Sequence, residues 1–174
     1  MKKIIFTIVI NCLFITSVSY AGAHMIEKEK TSRALECLAL NIYFETRASS
    51  LVDAMSVSDV VMNRVKSTRF PNTVCEVVQE GPISDWWKKE KGKEVPIRHQ
   101  CQFSWFCDGK SDIPKNKTAW EKSRKYARDI YVHGSYIGIT EGATHYHANY
   151  VKPYWAPSMD RITRIGSHIF YRQK

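Results

Sequence analysis

Apolar residues recur at helical spacing in two neighbouring stretches of the chain. The first stretch predicts a helix that begins near Thr31 or Ser32, because both residue types are good helix N-caps. Its apolar stripe consists of Leu35, Leu38, Ala39, Ile42 and Tyr43. The second stretch predicts a helix over 51–66, with Ala54, Val57, Val61 and Val65 along one side. A short apolar segment around Val74, Val77 and Val78 follows a Phe-Pro-Asn turn.

The pattern changes in the second half of the chain. The aromatic run 102–106 lies between two cysteines and predicts a short strand that ends in a turn. Thr118 and Glu121 have the spacing of a capping box, which predicts a helix that begins there and ends at Gly134. The segments 143–149 and 165–172 have a strand-like or irregular pattern. The expected fold class is therefore α+β, mainly helical, as a single domain with a small sheet.

A long segment over 80–98 has no helical or strand periodicity. It mixes glycine, proline and many charges with the pair Trp86-Trp87. Long loops within compact domains are commonly functional or disordered. Two interpretations of the pair carry equal weight: the indole rings stack on sugars, or they pack the loop onto the body of the domain.

The first residues have the features of an export signal. Lys2 and Lys3 precede a broken apolar run, and small residues follow as Ser19-Tyr20-Ala21. A membrane span needs about 20 apolar residues, and this run is shorter. We therefore predict a signal peptide over 1–21 that is removed, a flexible lead-in over 22–30 and one catalytic domain over 31–174. The mature chain is expected in the periplasm or outside the cell, with no stable membrane insertion.

Charge and cysteine content narrow the possible partners. The chain carries a net charge of +9, and loss of Lys2 and Lys3 leaves +7. In an exported protein this charge suits an anionic wall polymer or a lipid surface rather than nucleic acid, although a solvated basic surface is the alternative. Four cysteines remain after the signal: Cys37, Cys75, Cys101 and Cys107. Their number predicts two disulfides, with three possible connectivities, and their spacing does not suit zinc.

Glu45 is the residue that best fits acid chemistry. It follows Ile42 by three positions and Leu38 by seven, which points its side chain toward the core. Burial and a helix C-terminus both disfavour the charged carboxylate and keep the acid protonated, as a general acid requires. The competing interpretation is a partly exposed glutamate that pairs with Arg47 or Arg64.

Several sequence blocks resemble the cell wall hydrolase family of the spore-cortex-lytic (SleB/CwlJ) type. The blocks are 38–47 (LALNIYFETR), 63–75 (NRVKSTRFPNTVC), 101–109 (CQFSWFCDG), 142–148 (GATHYHA) and 165–172 (IGSHIFYR). The resemblance implies a lysozyme-like fold and cleavage of peptidoglycan glycan strands. It places the catalytic glutamate at Glu45 and the floor of the substrate groove at Gln102, Phe103 and Ser104.

One departure from the family bears on mechanism. The family's Glu-Ala-Arg-Gly-Glu run reads Glu45-Thr-Arg-Ala-Ser49 here, so the second glutamate is missing. A single acid suffices for a lytic transglycosylase that cleaves between N-acetylmuramic acid and N-acetylglucosamine, and we expect such an enzyme to act as a monomer without a cofactor. Asp53, Asp59 and Asp108 remain possible second carboxylates. A wall-binding module without catalysis is a further alternative.

His145 and His147 allow a different chemistry. On a strand they face the same side and could bind zinc with His168 or His133 as a third ligand, in an amidase that releases stem peptides. We favour no metal, because His-x-His alone is a weak zinc motif. In that interpretation Thr144, His145, Tyr146 and His147 line the groove and bind sugar hydroxyl and N-acetyl groups.

Overall fold

The computed structural model describes residues 2–46 and 50–174. The chain divides into two compact units, one that ends at Arg33 and one that runs from Ala34 to Lys174. Helix α1 spans Lys2–Thr46, so the predicted helix start near Thr31 or Ser32 is wrong. The polar lead-in is helical because 23–30 lacks glycine and proline and contains the good helix formers Met, Glu and Lys. The division into signal, lead-in and catalytic domain remains a prediction.

Within the described residues, no helix combines the length and the apolar character that a membrane span requires.

Three further helices pack with the end of α1 around the core. Helix α2 spans Leu51–Lys66, as predicted, and begins where the Ser50 hydroxyl accepts a hydrogen bond from the backbone N–H of Asp53. Helix α3 spans Val74–Val78, and helix α5 spans Lys117–Tyr131. The N-cap of α5 is Asn116 rather than the predicted Thr118, because the Asn116 side chain accepts from the Ala119 N–H. The most deeply buried core side chains include Leu38, Ile42, Met55, Val61, Val77, Val78 and Ile130.

The segment predicted as a loop over 80–98 contains helix α4, which spans Asp85–Lys91. No residue of α4 is buried, and an isolated bridge between Ile83 and Pro96 closes its base. Trp86 and Trp87 are 57% and 39% exposed and contact each other edge to face. Neither indole is part of the buried core, and both interpretations of the pair, stacking on sugars and packing onto the domain, remain predictions.

The predicted strand over 102–106 is wrong. Residues Ser104–Cys107 form a 3₁₀ helix, and the Cys101–Cys107 disulfide closes the loop around it. Phe103 and Trp105 are buried whereas Gln102 and Ser104 are exposed. This alternation of burial explains the strand-like pattern, although the segment belongs to no sheet.

A small antiparallel sheet completes the fold and confirms the predicted α+β, mainly helical class. Strands β1 (His145–Ala148), β2 (Asp160–Ile165) and β3 (His168–Arg172) lie in the order β1-β3-β2. Phe170 of β3 packs with Val60 of α2 and Ala143, so one face of the sheet covers α2. We call this the inner face.

The two disulfides pair Cys37 with Cys75 and Cys101 with Cys107, which settles the connectivity that the sequence left open. The first bridge ties α1 to α3. It therefore holds the helix that carries Glu45 against the domain.

Candidate active site

The end of α1 is held in place by aromatic contacts. The indole N–H of Trp105 donates a 3.0 Å hydrogen bond to the buried Asn41 side chain, and the Phe44 ring stacks on Trp105. The Tyr43 hydroxyl accepts hydrogen bonds from the backbone N–H groups of Lys115 and Asn116. These contacts fix the turn of α1 that immediately precedes Glu45.

Glu45 lies half-buried one residue before the end of α1. Its Oε2 accepts a 2.9 Å hydrogen bond from the hydroxyl of Tyr146, which belongs to β1. No hydrogen bond to Oε1 is found among the described residues. Glu45 therefore faces the inner side of the sheet, as its spacing from Leu38 and Ile42 predicts, and one of its oxygens remains available to a ligand.

The surroundings of Glu45 adjust its acidity in two directions. Burial raises its pKa above the ordinary value, while the Tyr146 hydrogen bond and the positive charge of Arg64 lower it; the net result is a raised pKa. Burial also raises the pKa of Tyr146 well above its usual value, so the phenol stays protonated. Tyr146 is thus a permanent hydrogen-bond donor to Glu45.

Arg64 of α2 provides a buried positive charge beside the acid. It is 4% exposed, and its Nε donates a 2.7 Å hydrogen bond to the Thr144 carbonyl. Its guanidinium lies over the rings of Phe70 and Phe103, at 5.1 and 5.5 Å from their centroids. Burial lowers the Arg64 pKa, and Tyr146, Glu80 and Glu45 act in the opposite direction. Glu45 and Arg64 interact through charge without forming a direct ion pair, and Arg47 lies outside the described residues.

Glu80 is a second carboxylate that the sequence did not reveal. It follows the end of α3 and interacts electrostatically with Arg64. Its Oε2 is buried and, like Nη1 of Arg64, has no hydrogen-bond partner in the described part of the chain. The only signal in the sequence was a charged residue two positions after the buried Val77-Val78 pair. Glu80 and Arg64 therefore interact through their opposite charges, and each has a buried polar atom with unused hydrogen-bonding capacity.

The three aspartates considered as second carboxylates have other partners. Asp59 is buried and accepts hydrogen bonds from the backbone of Gly138 and from both the backbone and hydroxyl of Thr140. Asp53 accepts from Ser50 and Ser167, and Asp108 binds Lys110. In the described structure none of them contacts Glu45.

The predicted groove residues divide between the two faces of the sheet. His145 and His147 project from the outer face, where both rings contact Trp155 and His147 bonds to the Tyr171 hydroxyl. Tyr146 projects from the inner face toward Glu45, since side chains alternate along a strand. Thr144 joins the two groups, because its carbonyl binds Arg64 and its hydroxyl binds His145.

The zinc alternative loses His168, one of its two proposed third ligands. In the register of β1 and β3, His168 pairs with Ala148 and therefore lies on the inner face, away from His145 and His147. His168 contacts Asp53 at 3.2 Å instead. The described residues contain no group of three His, Cys, Asp or Glu side chains that could hold a metal ion. Burial, followed by the charge of Arg64, lowers the pKa of His145 to about 4, so this imidazole is neutral at neutral pH.

The predicted groove-floor segment, Gln102 to Ser104, lies close to Arg64 and Glu80. Phe103 is buried under Arg64, and the Gln102 N–H donates to the Glu80 carbonyl. The side chains of Gln102 and Ser104 are exposed and available to a ligand. Their role as a groove floor remains a prediction.

Solved structures share this fold. The catalytic domain of the germination-specific lytic transglycosylase SleB from Bacillus anthracis has 26% sequence identity and a TM-score of 0.56, over 80% of this chain and 93% of that one. The catalytic domain of the Bacillus cereus SleB protein has 23% identity and a TM-score of 0.54, over 81% and 91% of the two chains. These similarities confirm the predicted lysozyme-like fold.

The sequence comparisons identify the family. No curated protein matches the chain. The model of the Cell Wall Hydrolase family matches residues 49–171, a range that begins after Glu45 and contains Arg64, Glu80 and Tyr146. The chain therefore belongs to the cell wall hydrolase family, of the SleB/CwlJ type, and is a peptidoglycan-degrading enzyme.

Proposed function

We propose that this enzyme is a lytic transglycosylase that cleaves the β-1,4 bond between N-acetylmuramic acid and N-acetylglucosamine, with Glu45 as its only acid. The observation that carries the proposal is the half-buried Glu45 carboxyl, held at Oε2 by Tyr146 and with a raised pKa. A protonated carboxyl at a groove is what departure of a sugar oxygen requires. The similarity to a lytic transglycosylase domain over 93% of its length supports the same chemistry.

The reaction needs one residue in two roles. Protonated Glu45 donates its proton to the glycosidic oxygen as the bond from that oxygen to C1 of the muramyl sugar breaks. The N-acetyl group of that sugar stabilises the positive charge at C1. The Glu45 carboxylate then takes the proton from the C6 hydroxyl as O6 bonds to C1, which yields a 1,6-anhydro end and restores the acid.

The neighbours of Glu45 suit both steps. Burial raises the pKa of the carboxyl and so favours its protonated form, as the first step needs. Once the proton has left, the Tyr146 hydroxyl and the Arg64 charge stabilise the carboxylate until it acts as a base.

We also propose that the mature enzyme is exported and acts as a monomer on peptidoglycan. The predicted signal supports export, and the basic charge of the chain suits an anionic wall polymer. The Ala48-Ser49 departure from the family pattern lies outside the described residues.

Digestion of purified sacculi by wild-type enzyme and by Glu45→Gln tests the proposal, with products identified by mass spectrometry. Wild-type enzyme should release anhydro-muropeptides, and Glu45→Gln should lose on the order of a hundredfold or more in rate. Glu36→Gln, which changes an exposed glutamate on the same helix, is the matched control and should retain the wild-type rate. Reducing sugar ends or an active Glu45→Gln variant would refute the mechanism.

The amidase alternative has a separate readout. A zinc amidase would release free stem peptides, lose activity on exhaustive chelation and regain it with zinc but not with magnesium. We expect full activity after chelation, because the outer-face histidines lack a third ligand among the described residues.

A further inference from the structure

A basic pocket opens beside the Glu45 site, at the end of α2. It has a volume of about 360 Å³ and lies between α2 and the edge of the sheet. Its lining comprises Asn63, Lys66, Ser67, Arg69, Phe70, Gly142, Thr144, Arg172 and Gln173. Three of these side chains are cationic and none is acidic. The pocket therefore presents a concentrated positive charge.

The three cations come from different parts of the chain. Lys66 ends α2, Arg69 follows it, and Arg172 ends β3. Arg69 is oriented by a 3.1 Å hydrogen bond to the Gln173 side chain. Within the part of the chain that the structure describes, none of the three forms an ion pair with a carboxylate. Their charges remain available to an anionic ligand.

The pocket connects to the site through two shared neighbours. Thr144 forms part of the pocket wall, and its carbonyl accepts the hydrogen bond from Arg64. Asn63 lines the pocket and immediately precedes Arg64. Alternation along β1 places Thr144 on the same side as Tyr146, which bonds to Glu45. A ligand in the pocket would thus lie beside a strand bound at Glu45.

We propose that this pocket binds the carboxylates of the peptide stems that peptidoglycan carries on its muramyl residues. The idea rests on the proposed function, since it assumes a peptidoglycan strand at Glu45. The sugars of the strand are uncharged, and the stems carry its free carboxylates. Arg and Lys donors bind carboxylates through charge-assisted hydrogen bonds. A neighbouring hollow of about 780 Å³ shares Lys66, Ser67 and Phe70 with the pocket and gives a stem room to continue.

The pocket would make the enzyme selective for strands that retain their peptides. A stem bound at Lys66, Arg69 and Arg172 fixes the position of its own muramyl residue relative to Glu45. Strands stripped of stems would retain the sugar contacts and would expose the lactyl carboxylate of each muramyl residue, but they would lack the carboxylates that the stem extends into the pocket. The three cations are therefore specificity residues and not members of the catalytic group.

Calorimetric binding of two soluble ligands tests the proposal on the full chain: a disaccharide that carries its stem peptide, and the same disaccharide with its lactyl carboxyl capped as a methylamide, so that it carries no carboxylate. Wild-type enzyme should bind the peptide-bearing ligand about tenfold more tightly, as expected for three exposed charge contacts. The triple variant Lys66→Gln, Arg69→Gln, Arg172→Gln should abolish this difference. The matched control is Lys122→Gln, Arg124→Gln, Arg128→Gln, which removes the same charges from exposed positions of α5 and should keep the difference.

Several results would overturn the proposal. Equal binding of the two ligands by wild-type enzyme would do so, as would a preference that survives in the pocket variant. A phosphodiester wall polymer that binds to the pocket while the stem does not would assign the cations to another partner. Digestion of sacculi distinguishes failure of this proposal from failure of the proposed function. A preference for the peptide-bearing ligand without anhydro products from sacculi would refute the transglycosylase and leave the pocket assignment intact.

Discussion

The hydroxyl of Tyr146 donates a 2.9 Å hydrogen bond to Oε2 of Glu45, a residue 101 positions earlier in the chain. This contact joins the end of the long first helix to the first strand of the sheet. It selects which carboxyl oxygen faces a substrate. It also opposes the effect of burial on the acidity of Glu45.

Tyr146→Phe should move the alkaline limb of the pH–rate profile upward. Without the hydroxyl, the pKa of Glu45 rises further, so the acid remains protonated to a higher pH, by about one pH unit. The maximal rate should fall about tenfold, because the carboxyl loses its fixed orientation. The measurement is kcat/KM against pH on solubilised glycan strands. Tyr131→Phe on α5 is the control and should leave the profile in place, while an unchanged profile for Tyr146→Phe would contradict the role of the hydrogen bond.

Glu80→Gln should move the same limb in the opposite direction. Glu80 offsets part of the positive charge of Arg64, and its neutralisation strengthens the effect of Arg64 on Glu45. The pKa of Glu45 then falls, and activity is lost at a lower pH than in the wild-type enzyme. Glu90→Gln, on the exposed helix α4, removes the same charge at a distance and should have no effect. A shift of the alkaline limb to higher pH would show that Glu80 does not act through Arg64.

The sequence predicted elements well where periodicity and burial agree. The bounds of α2 follow from its regular apolar stripe and from Ser50 as a cap. The segment 102–106 was mistaken for a strand because a short disulfide loop buries Phe103 and Trp105 alternately. The spacing of Glu45 on its helix is a local property and therefore predicts which way its side chain faces, whereas its catalytic role, which the family motif implies, stays a prediction.

These local patterns do not predict contacts between segments that are distant in the sequence. The Tyr146–Glu45 bond depends on the docking of the sheet onto α2, and β1 is too short to show which of its faces is buried. No sequence pattern marks Glu80, because it matters only through its interaction with Arg64, which the structure reveals. The two outer-face histidines were grouped with Tyr146 in sequence, although strand alternation already implied that they point the opposite way.

Asp53 should make the stability of the domain depend on acid pH. Burial alone would raise its pKa, but hydrogen bonds from Ser50, Ser167 and His168 outweigh that effect and lower the pKa to about 2. The unfolded chain has the higher pKa, so this contribution is complete above about pH 4 and is lost as the pH falls toward 2. Urea unfolding measures this effect. Over this pH window the free energy of unfolding of the wild-type enzyme should fall by about 2 kcal/mol more than that of Asp53→Asn. Asp85→Asn, at an exposed position, should retain the full dependence, and equal losses in all three proteins would contradict the assignment.

The two disulfides should contribute unequally to stability and differently to activity. Cys37–Cys75 closes a loop of 38 residues and Cys101–Cys107 one of 6, for which chain entropy gives about 4 and about 2 kcal/mol respectively. Cys37→Ser with Cys75→Ser should therefore lower the melting temperature more than Cys101→Ser with Cys107→Ser. The shorter loop, however, carries Trp105, which stacks on Phe44 next to Glu45, so its loss should reduce kcat at temperatures where both variants remain folded. Thermal melts and sacculus digestion at one low temperature separate the two effects. A larger loss of melting temperature from the shorter bridge would show that native contacts, rather than loop length, determine the contribution.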